Sequence, residues 1–169
     1  MEIIALRLIH VVGGMFWVGA GLMNFLFLAP AMMAAGPAAA GPMMQSMRRR
    51  RLFVVLPTVA VLTILSGLRL MMIQSSNFDA AYFRTAIGSM FALGGVAAIL
   101  AFLIGLAFAM PAQRRMAALG PQIGTADEAT RPTLQAEMDR LQKRLRVIGP
   151  LVTLLLVVAA VAMAIARYS

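Results

Sequence analysis

The sequence predicts an all-α membrane protein: four transmembrane helices built as two repeated hairpins, with a cytoplasmic amphipathic helix leading into the fourth span. Three observations carry that expectation. Residues are 62% hydrophobic and only 12% charged over 169 positions. The apolar residues fall in four blocks, each near the ~20 residues that cross a hydrocarbon layer. Two of these blocks also match two others in register. The expected organisation is one transmembrane domain over residues 1–169, with an internal repeat of residues 1–75 and 82–169.

The first span is expected from Ile4 to Ala29. Ala29-Pro30-Ala31 follows its apolar run as a signal-peptide cleavage site would, but Glu2 precedes it, the run is too long for a signal core, and no Lys or Arg cluster stands at its start. It is read as a retained helix. Ala34 to Met47, with Gly36-Pro37 and Gly41-Pro42, reads as a turn-rich connector. The second and third spans are expected at Leu52 to Ile73 and Thr85 to Met110. Beyond the third, Leu134, Met138, Leu141 and Leu145 recur at helical spacing, and Glu137, Asp139, Arg140, Lys143 and Arg144 take the other faces. That amphipathic helix is expected to enter the fourth span, Val147 to Ala166, with a kink near Gly149-Pro150, where the ring removes an amide from the ladder.

Residues 10–31 align without gaps on 91–112, placing Gly13-Gly14 on Gly94-Gly95, Ala20 on Ala101, Phe27 on Phe108 and Pro30-Ala31 on Pro111-Ala112. Arg51-Leu52-Phe53-Val54-Val55-Leu56-Pro57 aligns on Arg144-Leu145-Arg146-Val147-Ile148-Gly149-Pro150. Each half reads as an out-in-out hairpin, the two related by an axis along the membrane normal.

The net charge of +9 is unevenly spread. Arg48, Arg49, Arg50 and Arg51 lie between spans one and two, and Arg114, Arg115, Arg131, Arg140, Lys143, Arg144 and Arg146 between spans three and four. The remaining segments carry only Arg7, Arg69, Arg84 and Arg167. By the positive-inside rule both long loops face the cytoplasm and both termini the periplasm of a bacterial inner membrane. The four-arginine run is a candidate site for anionic lipid headgroups. Nucleic acid is not an expected partner, because insertion topology accounts for the basic excess and no aromatic residues interleave the arginines.

The chain has no cysteine, which removes disulfides, thiolate metal sites and thioether-bound haem. No Asp or Glu falls inside a span, so a carboxylate-driven pump and a two-carboxylate hydrolase lack their groups. Gly13-Gly14 and Gly94-Gly95 have no strand before them and read as packing glycines rather than a phosphate cradle.

What remains is the only histidine, His10, inside the first span. Steps of three, four, seven, eleven and fourteen residues put Gly13, Gly14, Trp17, Gly21 and Asn24 on its helix face. An imidazole in a bilayer is costly unless it faces a bundle or cavity, which makes it a candidate site. The plain alternative is a ring that hydrogen-bonds a neighbouring helix. In the internal alignment His10 falls on Phe91, Trp17 on Ala98 and Asn24 on Gly105, so only the first half carries polar chemistry.

His10, seven residues before Trp17, with the glycines that follow and Pro30, resembles the first helix of the bacterial four-helix membrane superfamily that includes copper-resistance D-type proteins and the membrane-embedded protoporphyrinogen oxidase. Met47, the arginine run, Leu52-Phe53, Pro57, Thr63 and Gly67 resemble the second helix of that oxidase family. The resemblance covers spans one and two and points to an uncharacterised branch. It implies haem contact through the first-helix histidine and carries over to His10 alone. The family's further histidine and third-helix lysine have no counterpart, the only lysine here being Lys143.

A haem b near the outer face is compatible with depth, because His10 lies about 9 Å inside the expected outer end of its helix. Arg69 and Arg84, near the outer ends of spans two and three, are candidate propionate partners, with snorkelling to headgroups as their other use. Met90 and Met163 are candidate second axial ligands, as is His10 of a second copy. Trp17 is a candidate cofactor-binding residue, as a quinone-stacking ring, with a core packing anchor as its other use. Two readings of different class follow: a haem b-binding redox protein, and a non-catalytic accessory or scaffold subunit of a larger membrane complex. A homo-oligomer is compatible with both.

Overall fold

The computed structural model describes residues 1–168, leaving out the side chains of residues 37, 38 and 40. The described residues form helices joined by short turns, with no strand among them. Helix α1 (Glu2–Met23) passes through a π-helical segment (Asn24–Leu28) into α2 (Ala29–Arg49). A tight turn leads to α3 (Leu52–Gln74), followed by the single turn α4 (Ala80–Phe83). Helix α5 (Ala86–Ile104) passes through a second π-helical segment (Gly105–Ala109) into α6 (Met110–Thr125), and α7 (Arg131–Ile165) returns to end in a 3-10 turn at Ala166–Tyr168.

Four of the resulting rods are long and apolar enough to cross a membrane: Glu2–Gly36, Leu52–Gln74, Ala86–Thr125 and Arg131–Tyr168. Helix α1 packs along α3 and α5 along α7, and the two pairs join where α1 meets α7 and α3 meets α5. Large apolar side chains such as Leu62, Leu65, Leu93, Val96 and Leu154 point out of the bundle, and Ala60, Ala97, Ala101, Ala159 and Ala162 fill its inside. That inverted distribution suits lipid as solvent, where helices associate through close backbone packing rather than by hiding apolar bulk. The larger residues of the core are Trp17 and Leu156; Trp17 lies edge to face with Phe102 at 6.2 Å between ring centres.

The π-helical segments have a local cause. Pro30 and Pro111 each sit just beyond one, where a proline ring collides with the carbonyl four residues back. Widening the preceding turn relieves this: the Ala29 amide donates to the Asn24 carbonyl and the Met110 amide to the Gly105 carbonyl, five residues back in each case. The two segments are offset by 81 residues, the offset that aligns Gly13-Gly14 with Gly94-Gly95. In the paired helices the buried positions Ala60, Thr63 and Ser66 of α3 and Thr153, Leu156 and Ala159 of α7 are offset by 93 residues, which is also the spacing of Pro57 and Pro150.

One local expectation needs correction. The connector expected from Ala34 to Met47 is mostly helix, broken once at Gly36, whose φ of 73° ends the first rod. Pro37 follows this break at the start of a new helical stretch, where its missing amide costs nothing, and the alanines after it favour helix. Pro150 lies inside α7, which runs from Arg131 to Ile165 as one helix. The Thr153 hydroxyl donates to the Gly149 carbonyl at 2.9 Å beside that proline.

Helices α6 and α7 extend well beyond any bilayer. The rod Ala86–Thr125 has 40 residues. At 1.5 Å per residue it spans about 60 Å, roughly twice a hydrocarbon core. Its second half, α6, pairs with the start of α7, where Leu119 is wholly buried and Leu134, Met138, Leu141 and Leu145 are half-buried. Arg115 clasps Glu137 through two bonds of 2.7 and 2.9 Å. This pairing holds the Glu137 carboxyl below the usual carboxylate range, chiefly through the hydrogen bonds from Arg115.

Candidate functional site

The candidate site lies where α1 crosses α3. Gly13 brings the two backbones together: a Cβ there would collide with the Thr63 hydroxyl and touch Val59. One turn earlier on α1, His10 reaches α3 at the same level. Its Nδ1 lies 2.8 Å from the Thr63 carbonyl oxygen. A carbonyl only accepts, so Nδ1 carries the proton and donates, and in the neutral ring Nε2 keeps its lone pair. The same carbonyl accepts from the Ser66 hydroxyl at 3.0 Å.

Gly67 makes the arrangement possible. A Cβ on Gly67 would lie 2.6 Å from His10 Cε1 and 2.8 Å from Nδ1, both too close to exist. The imidazole therefore occupies the space that a side chain would fill on α3. Thr63, Ser66 and Gly67 stand at spacings of three and four, so one face of α3 supplies an acceptor, a second hydroxyl and an empty position. The site thus holds a part-buried imidazole in one tautomer and one orientation.

The remaining candidates are dispersed. Arg69 is engaged by Glu2, with Nε to Oε1 at 2.9 Å and a terminal nitrogen at 2.8 Å, which ties the start of α1 to the end of α3, two turns from His10 along α1. Arg84 is exposed at the turn before α5 and has no carboxylate partner among the described residues. Trp17 is in the core beside Ala60, Ala101 and Leu156, two turns along α1 from His10. Met163 packs in the other helix pair, where its Cγ would meet a Cβ on Gly94 at 2.9 Å. Met90 is half-buried on α5. Arg48 to Arg51 cluster at the turn from α2 to α3, and Arg51 adopts a left-handed conformation with φ 56°.

No family model, curated protein or solved structure matches this chain. The site is therefore read from its own chemistry.

Among the described residues there is no cluster of three or more His, Asp or Glu that would hold a metal ion. The chain offers one imidazole nitrogen, which fits a cofactor that brings its own equatorial ligands and asks the protein for an axial donor. Sequence reading found His10 but missed Thr63, Ser66 and Gly67 as its surroundings. The signal was present as a stripe of small and hydroxylated residues on span two.

Proposed function

We propose that the chain is a bacterial inner-membrane protein that binds haem b through His10 and acts in redox or haem-related chemistry. One observation carries the reading: Nδ1–H of the only histidine is held by the Thr63 carbonyl, which leaves Nε2 as a ligand in a fixed orientation. Metal-bound histidines use this second-shell bond to fix tautomer and raise ligand basicity. Haem bound here would supply one-electron chemistry. Of the chain's own residues, His10 would bind it through Nε2, Thr63 and Gly67 would orient and accommodate the imidazole, and Arg84, which has no carboxylate partner among the described residues, would pair with a propionate. The resemblance of spans one and two to the four-helix superfamily points the same way.

The proposal includes an orientation and an ancestry. Both basic regions face the cytoplasm and both termini the periplasm, following the charge asymmetry; the terminal residue Ser169 lies outside the described residues. The two hairpins are copies of one unit, a reading supported by the paired π-helical segments and by the common offsets of buried residues. Arg48 to Arg51 meet anionic headgroups at the cytoplasmic surface. The start of α7 is read as amphipathic, which is supported by the half-burial of Leu134, Met138, Leu141 and Leu145 and by the contact of α7 with α6.

The second reading, an accessory subunit of a larger complex, draws on the α6–α7 extension, a helical hairpin in which Arg115 pairs with Glu137. Absorption spectroscopy separates the two. Protein purified from haem-replete cells should show a Soret band, which His10→Ala should abolish or strongly shift at normal expression. A colourless wild type, or an unchanged spectrum in His10→Ala, would overturn the haem reading in favour of the accessory one.

A further inference from the structure

Between the end of α5 with the second π-helical segment and α7 lies a shallow groove, wide open to the side of the bundle and lined by Ile104, Phe108, Arg144, Ile148 and Leu151. Ile104 and Phe108 are one turn apart on one wall, and Arg144, Ile148 and Leu151 climb the other at helical spacing. Four of the five are apolar, and the only charge is at one end. There the Arg144 guanidinium lies over the Phe108 ring, 5.2 Å from its centre. Gly105 adds no side chain, and a Cβ on it would meet nothing within 4 Å.

Depth places that end at a membrane boundary. Phe108 is 22 residues beyond Ala86, about 33 Å along the helix, against a hydrocarbon thickness of about 30 Å. From Arg144 to Leu151 the groove descends about 10 Å into the apolar layer. Arg140, one turn before Arg144 on the same face of α7, makes this end basic, with Lys143 beside it in sequence. Arg144 has no carboxylate partner among the described residues, Glu137 being held by Arg115 and Glu2 by Arg69. Arg146 reaches across to the Met33 sulfur on α2.

We infer that this groove binds one anionic phospholipid, with its phosphate on Arg144 and an acyl chain along Ile104, Ile148 and Leu151. An anionic headgroup complements the basic mouth, whereas a choline headgroup places a cation against Arg140 and Lys143. The site is distinct from Arg48 to Arg51 and independent of His10.

Native mass spectrometry of the full chain in neutral detergent tests the assignment, with dioleoyl phosphatidylglycerol, dioleoyl phosphatidylcholine and free glycerol phosphate as probes. The wild type should retain one phosphatidylglycerol at concentrations where phosphatidylcholine is lost. Arg144→Gln should weaken that retention about fivefold. Leu151→Trp, which fills the groove and leaves the charge in place, should weaken it too and decides the matter if Arg144→Gln does not fold by circular dichroism. Neutralising Arg48 to Arg51 together should leave this lipid bound. Equal retention of the two lipids, unchanged retention in a folded Arg144→Gln or in Leu151→Trp, or loss only in the quadruple variant would overturn the assignment. Displacement by millimolar glycerol phosphate would overturn it in favour of a free-phosphate site.

Discussion

Gly67→Ala tests whether the imidazole of His10 is held as the geometry requires. The added methyl would begin 2.6 Å from Cε1 and 2.8 Å from Nδ1, where ordinary contacts start at 3.4 Å. The ring must therefore withdraw by about 0.8 Å, which takes its 2.8 Å bond to the Thr63 carbonyl to the limit of useful hydrogen-bond length. Losing that bond costs about 0.5–1.5 kcal/mol. Crowding of a packed helix crossing adds about 1–3 kcal/mol. Replacing glycine within a helix returns about 1 kcal/mol. The net expectation is a loss of roughly 0.5–3.5 kcal/mol. Unfolding by sodium dodecyl sulfate from dodecyl maltoside micelles, followed by circular dichroism, measures it. In a His10→Ala background the ring is gone, so Gly67→Ala should become neutral or stabilising by up to about 1 kcal/mol. Equal destabilisation in both backgrounds would refute the reasoning, because the cost would then arise elsewhere on α3.

Other outcomes follow from neighbouring features. Gly13→Ala, whose methyl meets the Thr63 hydroxyl, should destabilise the bundle more than Gly19→Ala, whose methyl meets nothing within 4 Å, and Thr63→Ala should restore most of the difference in the same assay. The Tyr82 hydroxyl is buried without a hydrogen-bond partner among the described residues, and burial raises its pKa, so Tyr82→Phe should leave thermal stability unchanged or raise it by about 1 kcal/mol. Glu137 has a depressed pKa in the folded hairpin, so its contribution is present above the unfolded value near ~4.3 and is lost as pH falls through the folded one. Hydrogen exchange of α6 and of the start of α7 should accelerate there, and Arg115→Gln should remove that step and move the Glu137 titration, followed by carbon NMR, back toward the ordinary range. Reporter fusions at the C-terminus and within residues 36–42 should give periplasmic and cytoplasmic signals respectively; a cytoplasmic C-terminus would overturn the orientation.

The four long helices were legible because each apolar block exceeds the length that crosses a bilayer, and span two begins and ends within a residue of its expected bounds. The helical character of α2 was not legible. Gly36-Pro37 and Gly41-Pro42 carry turn chemistry, and a proline just after a break reads in one dimension like a proline in a loop. The π-helical segments were also hidden, because hydrophobic period does not register one widened turn. At the site, His10 stood out by being unique, whereas its partners did not. A backbone carbonyl has no sequence signature, and Gly67 matters only because α1 crosses α3 at its level. The Arg69–Glu2 pair was missed for the same reason: both residues are ordinary at a helix end until the crossing brings them within 2.8 Å.

The most direct test of the central claim uses the single histidine, since labelling with [15N]histidine marks His10 alone. Pulsed electron paramagnetic resonance of the ferric haem-loaded protein reads which ring nitrogen is bonded to iron. The account predicts strong coupling to one labelled nitrogen, Nε2, with a protonated, hydrogen-bonded Nδ1. A haem without coupling to the labelled ring, or with iron on Nδ1, would contradict it.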